Sequence, residues 1–313
     1  MKSGESMKSF EGRPDESYSQ SVKMAKLNER ILLKLKAYWE LTKSRQTLLL
    51  LITGWAGYSS AVHFSTDWKI TLSLLGSLFL AISGSTVLNM YVDRDIDAKM
   101  PRTIKRPLPA GVLLPREALA FGSLISIVGV AWAFTLTPLY GIVVAAGLFF
   151  HAGVYTMWLK RKTPFSVIPG GVSGGMPVLA GRALGTGCID MVGVLLALAI
   201  LLWIPIHILT FAMRYADDYK SAEVPTFPSI YGVDLTRLVL AGSTILTGLA
   251  MLLAVILNGV RGTYLGASVL SVVVLIAVAV FCSVFPTEKR NFLLFKAASI
   301  YMLATMLLVG LAR

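Results

Sequence analysis

Long apolar runs alternate with short polar connections along most of the chain. Nine of these runs approach the roughly 20 residues that a helix needs to cross a bilayer. They cover residues 47–64, 70–91, 117–136, 139–158, 166–186, 191–213, 235–258, 263–285 and 292–311, the fifth being interrupted by prolines and glycines. Because the runs are continuous and do not alternate with polar residues, they predict an all-α bundle of about nine transmembrane helices and not a barrel.

Composition and charge support a polytopic membrane protein. The chain is 55% hydrophobic and only 15% charged, which is too apolar for a soluble domain. Its net charge is +12, and all but four of its 29 Lys and Arg residues (Lys69, Arg182, Arg261 and Arg313) fall on one predicted side. The positive-inside rule explains this excess without a nucleic-acid partner. We therefore expect a multi-pass protein of the plasma membrane, with a cytoplasmic N-terminus, cytoplasmic charged loops and an external C-terminus.

The N-terminal residues differ from the rest of the chain. Residues 1–30 are polar and predict a mobile cytoplasmic arm, which leaves residues 31–313 as the transmembrane domain. From about Leu27, apolar residues recur at helical spacing with Lys and Arg between them. This pattern predicts an amphipathic helix on the inner membrane surface.

The predicted inner loops alternate in length. Loops 92–116 and 214–234 are long and charged, whereas 160–164 and 286–290 are short. This alternation suggests two repeats of four helices, because internal duplication recurs in membrane bundles. The two long loops would then face each other across one site.

The first long loop begins with an amide and carboxylates at helical spacing. Asn89, Asp93 and Asp97 stand four residues apart and would share one face of a continuing helix, whereas Asp95 would point elsewhere. Their oxygens suit Mg²⁺, which prefers hard ligands and is often shared with phosphate. A solvated, salt-bridged helix end is the commoner explanation of an acidic pair alone. The position of Asn89 at the end of an apolar run favours the metal site.

Cations follow these carboxylates directly. Arg102, Lys105 and Arg106 precede Pro107 and Pro109, which would stiffen the loop. Arginine forks bind phosphate oxygens in a bidentate manner, so the loop is a candidate diphosphate site. Membrane topology also explains the cations, but it does not explain the acids beside them.

The second long loop again joins acids to the end of an apolar run. It contains Tyr215, Asp217, Asp218, Tyr219 and Lys220. A second acidic cluster opposite the first would hold a second Mg²⁺ on one diphosphate, and two metals stabilise such a leaving group better than one.

The motifs resemble a known family. The Asn89–Asp97 spacing, combined with a second acidic loop, resembles the UbiA superfamily of intramembrane prenyltransferases. Within it, the run from Tyr91 to Leu108 is similar to the protohaem IX farnesyltransferase branch, and further similar motifs lie at Lys160–Pro164, Gly170–Pro177 and Pro205–His207. The likeness extends from about Tyr38 to Arg313, although Glu223 and Thr226 replace the Gly and Met usual in the second loop.

The resemblance implies transfer of farnesyl from farnesyl diphosphate to a vinyl group of haem B, with water addition, giving haem O. It implies a UbiA-like fold, two Mg²⁺ ions, contact with membrane lipid, and haem A synthase or terminal oxidase assembly proteins as partners. The metal ligands would be Asn89, Asp93, Asp97, Asp217 and Asp218. Catalysis would involve Asp93, Asp97, Arg102, Arg106 and His207, and substrate would contact Asn89, Arg102, Lys105, Arg106, Lys162, Tyr215, Lys220 and His207.

Other functions remain open from sequence. A related prenyltransferase could act on an aromatic quinone precursor or on a glyceryl phosphate. A transporter could use the internal repeat, although transporters place charges near the midplane and these acids lie at the boundary. A non-catalytic haem-binding subunit would need no prenyl diphosphate. His207, an ionisable residue within an apolar run, is a functional candidate, but a packed histidine is as common.

Overall fold

The computed structural model describes residues 16–62 and 67–312, and describes side chains from residue 27 onward. All regular elements in this part of the chain are helical. They are α1 (Glu16–Leu41), α2 (Ser44–Val62), α3 (Trp68–Val92), α4 (Arg94–Lys99), α5 (Pro115–Leu136), α6 (Pro138–Leu148) with its π-helical continuation (Phe149–Leu159), a 3-10 turn (Pro164–Ser166), α7 (Val167–Thr186), α8 (Met191–Arg214), α9 (Ala216–Ser221), α10 (Phe227–Tyr231), α11 (Val233–Leu257), α12 (Gly262–Val284) and α13 (Glu288–Leu311).

The predicted all-α membrane bundle is confirmed, but the count of nine spans is not. Within the described ranges, seven helices are long and apolar enough to cross a membrane, α6 and its π-helical continuation forming one of them. Helices α2 and α7 occupy the predicted first and fifth positions, but they carry more polar and small residues. They pack closely against each other because glycines line their contact: a Cβ at Gly57 would lie 2.1 Å from the Val178 oxygen.

The two halves of the bundle repeat the same arrangement. Helix α3 packs along α5, and α8 packs along α11 in the same way. Each of α3 and α8 is followed by a six-residue helix, α4 and α9. The two long loops meet through a small buried cluster of Ile96, Met100, Ala222 and Val224. The loops therefore lie side by side, as the alternation of loop lengths predicted.

Helix α1 begins at Glu16, earlier than the apolar periodicity near Leu27 indicated. Leu32, Leu35 and Trp39 are exposed, whereas Ala37 and Leu41 are buried against the first long loop and the adjoining helices. An amphipathic helix with exposed large apolar side chains suits a membrane surface. Residues 1–15 of the expected N-terminal arm lie outside the described residues, so the domain division at residue 30 stays a prediction.

Candidate active site

The amide and carboxylates of the first loop lie on one face of a continuous helical turn. The backbone N–H of Asp93 donates to the backbone carbonyl oxygen of Asn89 at 2.9 Å, and the backbone N–H of Asp97 donates to the backbone carbonyl oxygen of Asp93 at 2.8 Å. The helical bonding thus continues from α3 into α4, and Asn89, Asp93 and Asp97 are all buried. Asp95 points outward and pairs with Arg161 at 2.7 Å, a hydrogen bond that lowers the pKa of Asp95 to about 2. The three inward groups form what we call the carboxylate ladder.

Two cations neutralise the ladder. Lys160 forms an ion pair with Asp93, and Arg106 donates to both Asp97 oxygens at 2.8 Å. Asn89 donates to Asp93 at 2.9 Å and to Thr156 at 3.1 Å, which fixes its amide. Burying carboxylates requires such partners, because an unpaired buried charge is strongly unfavourable.

Lys160 reaches the ladder from the end of the π-helical segment. The Lys160 N–H bonds to the Tyr155 oxygen at 2.9 Å, which is the i→i−5 pattern, and the Thr156 hydroxyl bonds to the His151 oxygen at 2.7 Å. His151 Nδ1 lies 2.6 Å from the Ser85 hydroxyl, one turn before Asn89. A wider turn changes which side chains face a neighbour, and π-helical turns often occur at functional sites.

Two lysines near the ladder were not among the residues predicted for the site, although one of them, Lys160, begins a motif noted in the sequence. Lys160, and not the expected Lys162, contacts the ladder; burial alone would lower the pKa of Lys160, but Tyr155 and Asp93 raise it. Lys43 joins α1 to α2 with a positive φ of 47°, uncommon outside glycine. Burial and the charges of Arg106 and Lys160 lower the pKa of Lys43 to about 8. In sequence, both lysines look like ordinary cations at a membrane edge.

The remaining candidates lie around this centre. Arg102 covers the Tyr215 ring at 4.9 Å, which links the first long loop to the second. Asp217 is exposed and Asp218 is half-buried. Lys105, Lys162 and Lys220 are exposed and have no side-chain contact to the ladder among the described residues. His207 lies apart from the ladder, in an aromatic stack with Trp203, Phe211 and Phe295.

The donor set fits a metal in part. In the described part of the chain, no three Asp, Glu, His or Cys side chains are close enough together to hold an ion. The two expected sites, Asn89 with Asp93 and Asp97, and Asp217 with Asp218, contain only two carboxylates each, so both stay predictions. However, Asp93 Oδ1 is buried and has no hydrogen-bond partner among the described residues. A hard cation accompanied by an anion that engages Lys160 and Arg106 would satisfy it.

Two cavities adjoin the ladder. One, of about 530 Å³, is walled mostly by apolar side chains from α2, α3, α6 and α7, and its few polar groups include Ser85 and His151. The other, of about 510 Å³, is lined by Tyr155, Lys160 and Tyr219 together with residues of α8 and the second long loop. The site therefore combines buried ion pairs with an apolar cavity one helical turn away, as an amphiphile with an anionic head requires.

Apolar helices of this length, with buried ion pairs where they end, define an integral membrane protein. A family model described as the UbiA prenyltransferase family matches residues 50–305. The chain belongs to the UbiA prenyltransferase family and is an enzyme of that class. This membership sets aside the transporter hypothesis.

Curated relatives show which branch of the family this chain resembles. A protoheme IX farnesyltransferase of Archaeoglobus fulgidus is 46% identical over 201 residues, covering 64% of this chain and 70% of the relative. Another of the same name, from Pyrobaculum arsenaticum, is 38% identical over 264 residues and covers 84% of this chain and 94% of the relative. The resemblance to that branch is thus confirmed.

Solved structures support the fold. A structure described as digeranylgeranylglyceryl phosphate synthase in membranes has a TM-score of 0.75 at 22% identity, covering 89% of this chain and 98% of that chain. A UbiA homolog from Archaeoglobus fulgidus bound to GPP and Mg²⁺ has a TM-score of 0.66 at 14% identity, covering 87% and 99%. At these identities the likeness concerns the fold alone.

Proposed function

We propose that the chain transfers the farnesyl group of farnesyl diphosphate to a vinyl group of haem B, with addition of water, to give haem O. The observation that carries the proposal is the carboxylate ladder with its two cations, which begins at Asn89, one helical turn beyond Ser85 in the wall of the 530 Å³ apolar cavity. The choice of haem as acceptor rests on relatives that are named protoheme IX farnesyltransferase and are 38–46% identical. Haem O would then pass to haem A synthase or to terminal oxidase assembly proteins.

The diphosphate would bind by an exchange of partners. Lys160 and Arg106 would turn from Asp93 and Asp97 to phosphate oxygens, and Lys43 and Arg102 would add positive charge nearby. Mg²⁺, when bound, would stabilise the leaving diphosphate, one ion held by Asn89, Asp93 and Asp97 and a second by Asp217 and Asp218. The lysine and arginine groups would hold the diphosphate after the bond to carbon breaks.

The prenyl chain would lie in the 530 Å³ cavity, beside the carboxylate ladder. Its walls from α2, α3, α6 and α7 are nearly all apolar, and Ser85 and His151 already bond to each other. Such walls exclude water from the allylic cation and prevent its hydrolysis. Ser85, one turn before Asn89 on α3, puts this cavity within one helical turn of the ladder.

The proposed reaction balances without an oxidant. The C1–O bond of farnesyl diphosphate breaks, and its electron pair leaves with the diphosphate. The vinyl π electrons of haem B form a new carbon–carbon bond to C1, which leaves a cation on the carbon next to the porphyrin. Water adds to that carbon and releases one proton to solvent. His207 and Tyr215 would contact the acceptor on the α8 side of the site.

The test is a product analysis. The protein in lipid nanodiscs is incubated with farnesyl diphosphate, haem B and Mg²⁺ in ¹⁸O-water, and extracted haems are analysed by mass spectrometry. We expect haem B to gain one farnesyl group and one ¹⁸O-labelled hydroxyl group, and we expect chelation of Mg²⁺ to stop the reaction. Parallel reactions offer 4-hydroxybenzoate or geranylgeranylglyceryl phosphate. A product with one of these acceptors and none with haem B would overturn the acceptor assignment.

A further inference from the structure

A third cavity lies between the C-terminal end of α8 and the N-terminal ends of α11 and α13. It measures about 650 Å³ and has no lining residue in common with the two cavities beside the carboxylate ladder. Its walls are formed by Thr210, Met213, Arg214, Val233, Arg237, Glu288, Asn291 and Phe292. We call it the arginine cleft. Nothing in the reaction above assigns it a role.

Polar donors in the arginine cleft are incompletely satisfied. Arg237 Nε and the Thr210 hydroxyl are buried and have no hydrogen-bond partner among the described residues. The only ion pair of Arg237 in that part of the chain is with Asp234 at 3.0 Å, whose side chain is 98% exposed. Leaving a buried donor unbonded is costly, and more so for a charged group. The cleft therefore favours a ligand that supplies acceptor oxygens.

Arg214 adds a second guanidinium to the same cleft. Its nearest carboxylate is Glu288, at 4.0 Å, and that side chain is 78% exposed. An exposed ion pair at this distance contributes little. An incoming carboxylate could therefore displace Glu288 at small cost and would meet two arginines.

An aromatic wall begins at the edge of the cleft. Phe292, which lines the cleft, stacks on Phe295 at 5.3 Å with an interplanar angle of 19°. Phe295 lies 5.0 Å from His207, whose Nδ1 is buried and without a partner among the described residues, and His207 lies 5.2 Å from Trp203. Aromatic faces of this kind bind flat ring systems by stacking.

The same aromatic wall extends to the first long loop, which is the candidate diphosphate site. The ring centroids of Phe211 and Phe295 lie 5.0 Å apart. The Phe211 ring is nearly parallel to that of Tyr215, with a centroid distance of 5.9 Å and an interplanar angle of 12°. Arg102 of the first long loop covers Tyr215. A flat acceptor on this wall would thus have two arginines at one edge and the cationic loop of the reaction site at another.

We propose that the arginine cleft binds the propionate carboxylates of haem B, with Arg214 and Arg237 as the charge partners and the aromatic wall under the porphyrin. The inference rests on the proposed function, which supplies haem B as the acceptor. The propionates occupy one edge of haem B and the vinyl groups lie away from that edge. If the propionates are anchored in the cleft, a vinyl group therefore points away from the cleft and toward the first long loop.

The test measures binding without turnover. Haem B and its dimethyl ester, which lacks the propionate charges, are each titrated into the protein in neutral-lipid nanodiscs, and the Soret absorbance is followed. The variants are Arg237→Gln, Arg214→Gln and the charge-retaining Arg237→Lys, with Arg116→Gln as a matched control at an exposed site. Wild type should bind haem B at least about tenfold more tightly than the ester, the size of one lost charge-assisted hydrogen bond.

Each glutamine variant should weaken haem B binding by about tenfold or more and leave ester binding unchanged, whereas Arg237→Lys should recover part of the loss. Arg116→Gln should match wild type. Equal affinities for haem B and the ester, or equal losses for both ligands in the variants, would overturn the inference. A phosphate of an anionic lipid has similar chemistry. If the variants lose only the stabilisation by phosphatidylglycerol nanodiscs and keep their haem affinity, the cleft is a lipid site and the inference is wrong.

Failure of the inference and failure of the proposed function give different results. If the arginine variants bind haem B normally while wild type still makes haem O, only the inference is wrong. If wild type binds haem B with the expected dependence on its carboxylates but forms no farnesylated haem, the proposed reaction is wrong and the assignment of the cleft is retained. Absence of any haem B binding by wild type overturns the inference.

Discussion

Lys160 and Asp93, 67 residues apart in the chain, form an ion pair beside the cavity that Lys160 lines together with Tyr155 and Tyr219. The side chain of Asp93 is 3% exposed and that of Lys160 is 19% exposed, so the pair is largely shielded from water. The second oxygen of Asp93 is buried and has no partner among the described residues. Asp93 therefore has one oxygen bound to a cation and one oriented for a further ligand, which makes it the most informative position for mutation.

Replacing Asp93 or Asp97 by Asn should lower the rate of farnesyl transfer by about 100-fold or more, the usual loss when a preorganised charge contact is removed. The shape of the side chain is kept, so the fold should survive. Asp95→Asn is the matched control, because Asp95 is an exposed acid next to Asp93 and Asp97 that pairs with Arg161 on the outer side of the helix. Initial rates from the mass-spectrometric assay, with circular dichroism to confirm folding, check this. Activity near wild type in Asp93→Asn would contradict a role for the ladder.

Lys160 and Lys162 can be distinguished directly. Lys160→Met should weaken binding of inorganic diphosphate by about tenfold and lower the melting temperature, because a buried Asp93 loses its cation. Lys162→Met should do neither, since Lys162 is exposed and makes no contact with the ladder among the described residues. Isothermal titration and a thermal melt measure both effects. The reverse result, a loss only in Lys162→Met, would restore the assignment made from sequence.

Lys43 predicts a pH dependence of diphosphate affinity. Its pKa is lowered to about 8, so its ammonium group is charged below pH 8 and loses its proton as the pH rises through 8. Affinity for metal-free diphosphate should therefore fall above pH 8 by more in wild type than in Lys43→Met. The ratio of the two affinities removes the titration of diphosphate itself. Lys43→Arg should keep the affinity high past pH 8, because arginine stays charged. A constant ratio between pH 6.5 and 9.5 would exclude Lys43 from the site.

The sequence predicted the parts of the site that depend on local spacing. Asn89, Asp93 and Asp97 share a face because helical bonding continues from α3 into α4, which their spacing alone implied. The meeting of the two long loops followed from the alternation of loop lengths. The catalytic, substrate-binding and metal-binding roles given to the site residues, including Asp217, Asp218, Lys105 and Lys220, stay predictions.

What the sequence did not predict depends on tertiary packing and on departures from regular helix. Lys160 reaches Asp93 from a π-helical turn, and periodicity analysis assumes α-helical spacing. Lys43 itself has a positive φ, and nothing in the local sequence predicts that backbone conformation. In the sequence, Arg214 and Arg237 look like two more cations at a membrane edge, and their common cleft exists only where α8, α11 and α13 meet. In each case the informative distance joins residues that are far apart in the chain.

Close packing of α2 on α7 can be tested by glycine substitutions. A Cβ at Gly57 would lie 2.1 Å from the Val178 oxygen, and one at Gly181 would lie 1.9 Å from the Gly54 oxygen. Either Gly→Ala change should separate the two helices and lower the melting temperature, at a cost of about 1–3 kcal/mol typical of overpacking. Gly242→Ala is the control, because nothing lies within 4 Å of its added Cβ and alanine favours the helix. Unchanged melting temperatures of Gly57→Ala and Gly181→Ala would mean that α2 and α7 have room for an added methyl group, contrary to these distances.

The last prediction concerns a polar network far from the ladder. Arg182 on α7 binds Asp190 at 2.8 Å, Asn258 at 2.6 Å and the Ser60 oxygen at 3.0 Å, and so joins α2, α7 and the segments that border α8 and α11. Arg182→Gln should destabilise the fold by about 2–4 kcal/mol, since Asp190, Asn258 and the Ser60 oxygen lose their buried cationic partner, and the cost is limited because Asp190 keeps some access to water.

At temperatures well below melting, the Arg182→Gln protein should keep the kcat and KM of wild type, because the network has no contact with the ladder or with either adjoining cavity among the described residues. Arg261→Gln, an exposed arginine in the loop between α11 and α12, should leave both melting and kinetics unchanged. A drop in kcat without a drop in melting temperature would instead tie Arg182 to the reaction. Thermal half-life and initial rates, measured on the same nanodisc preparations, separate a role in stability from a role in catalysis.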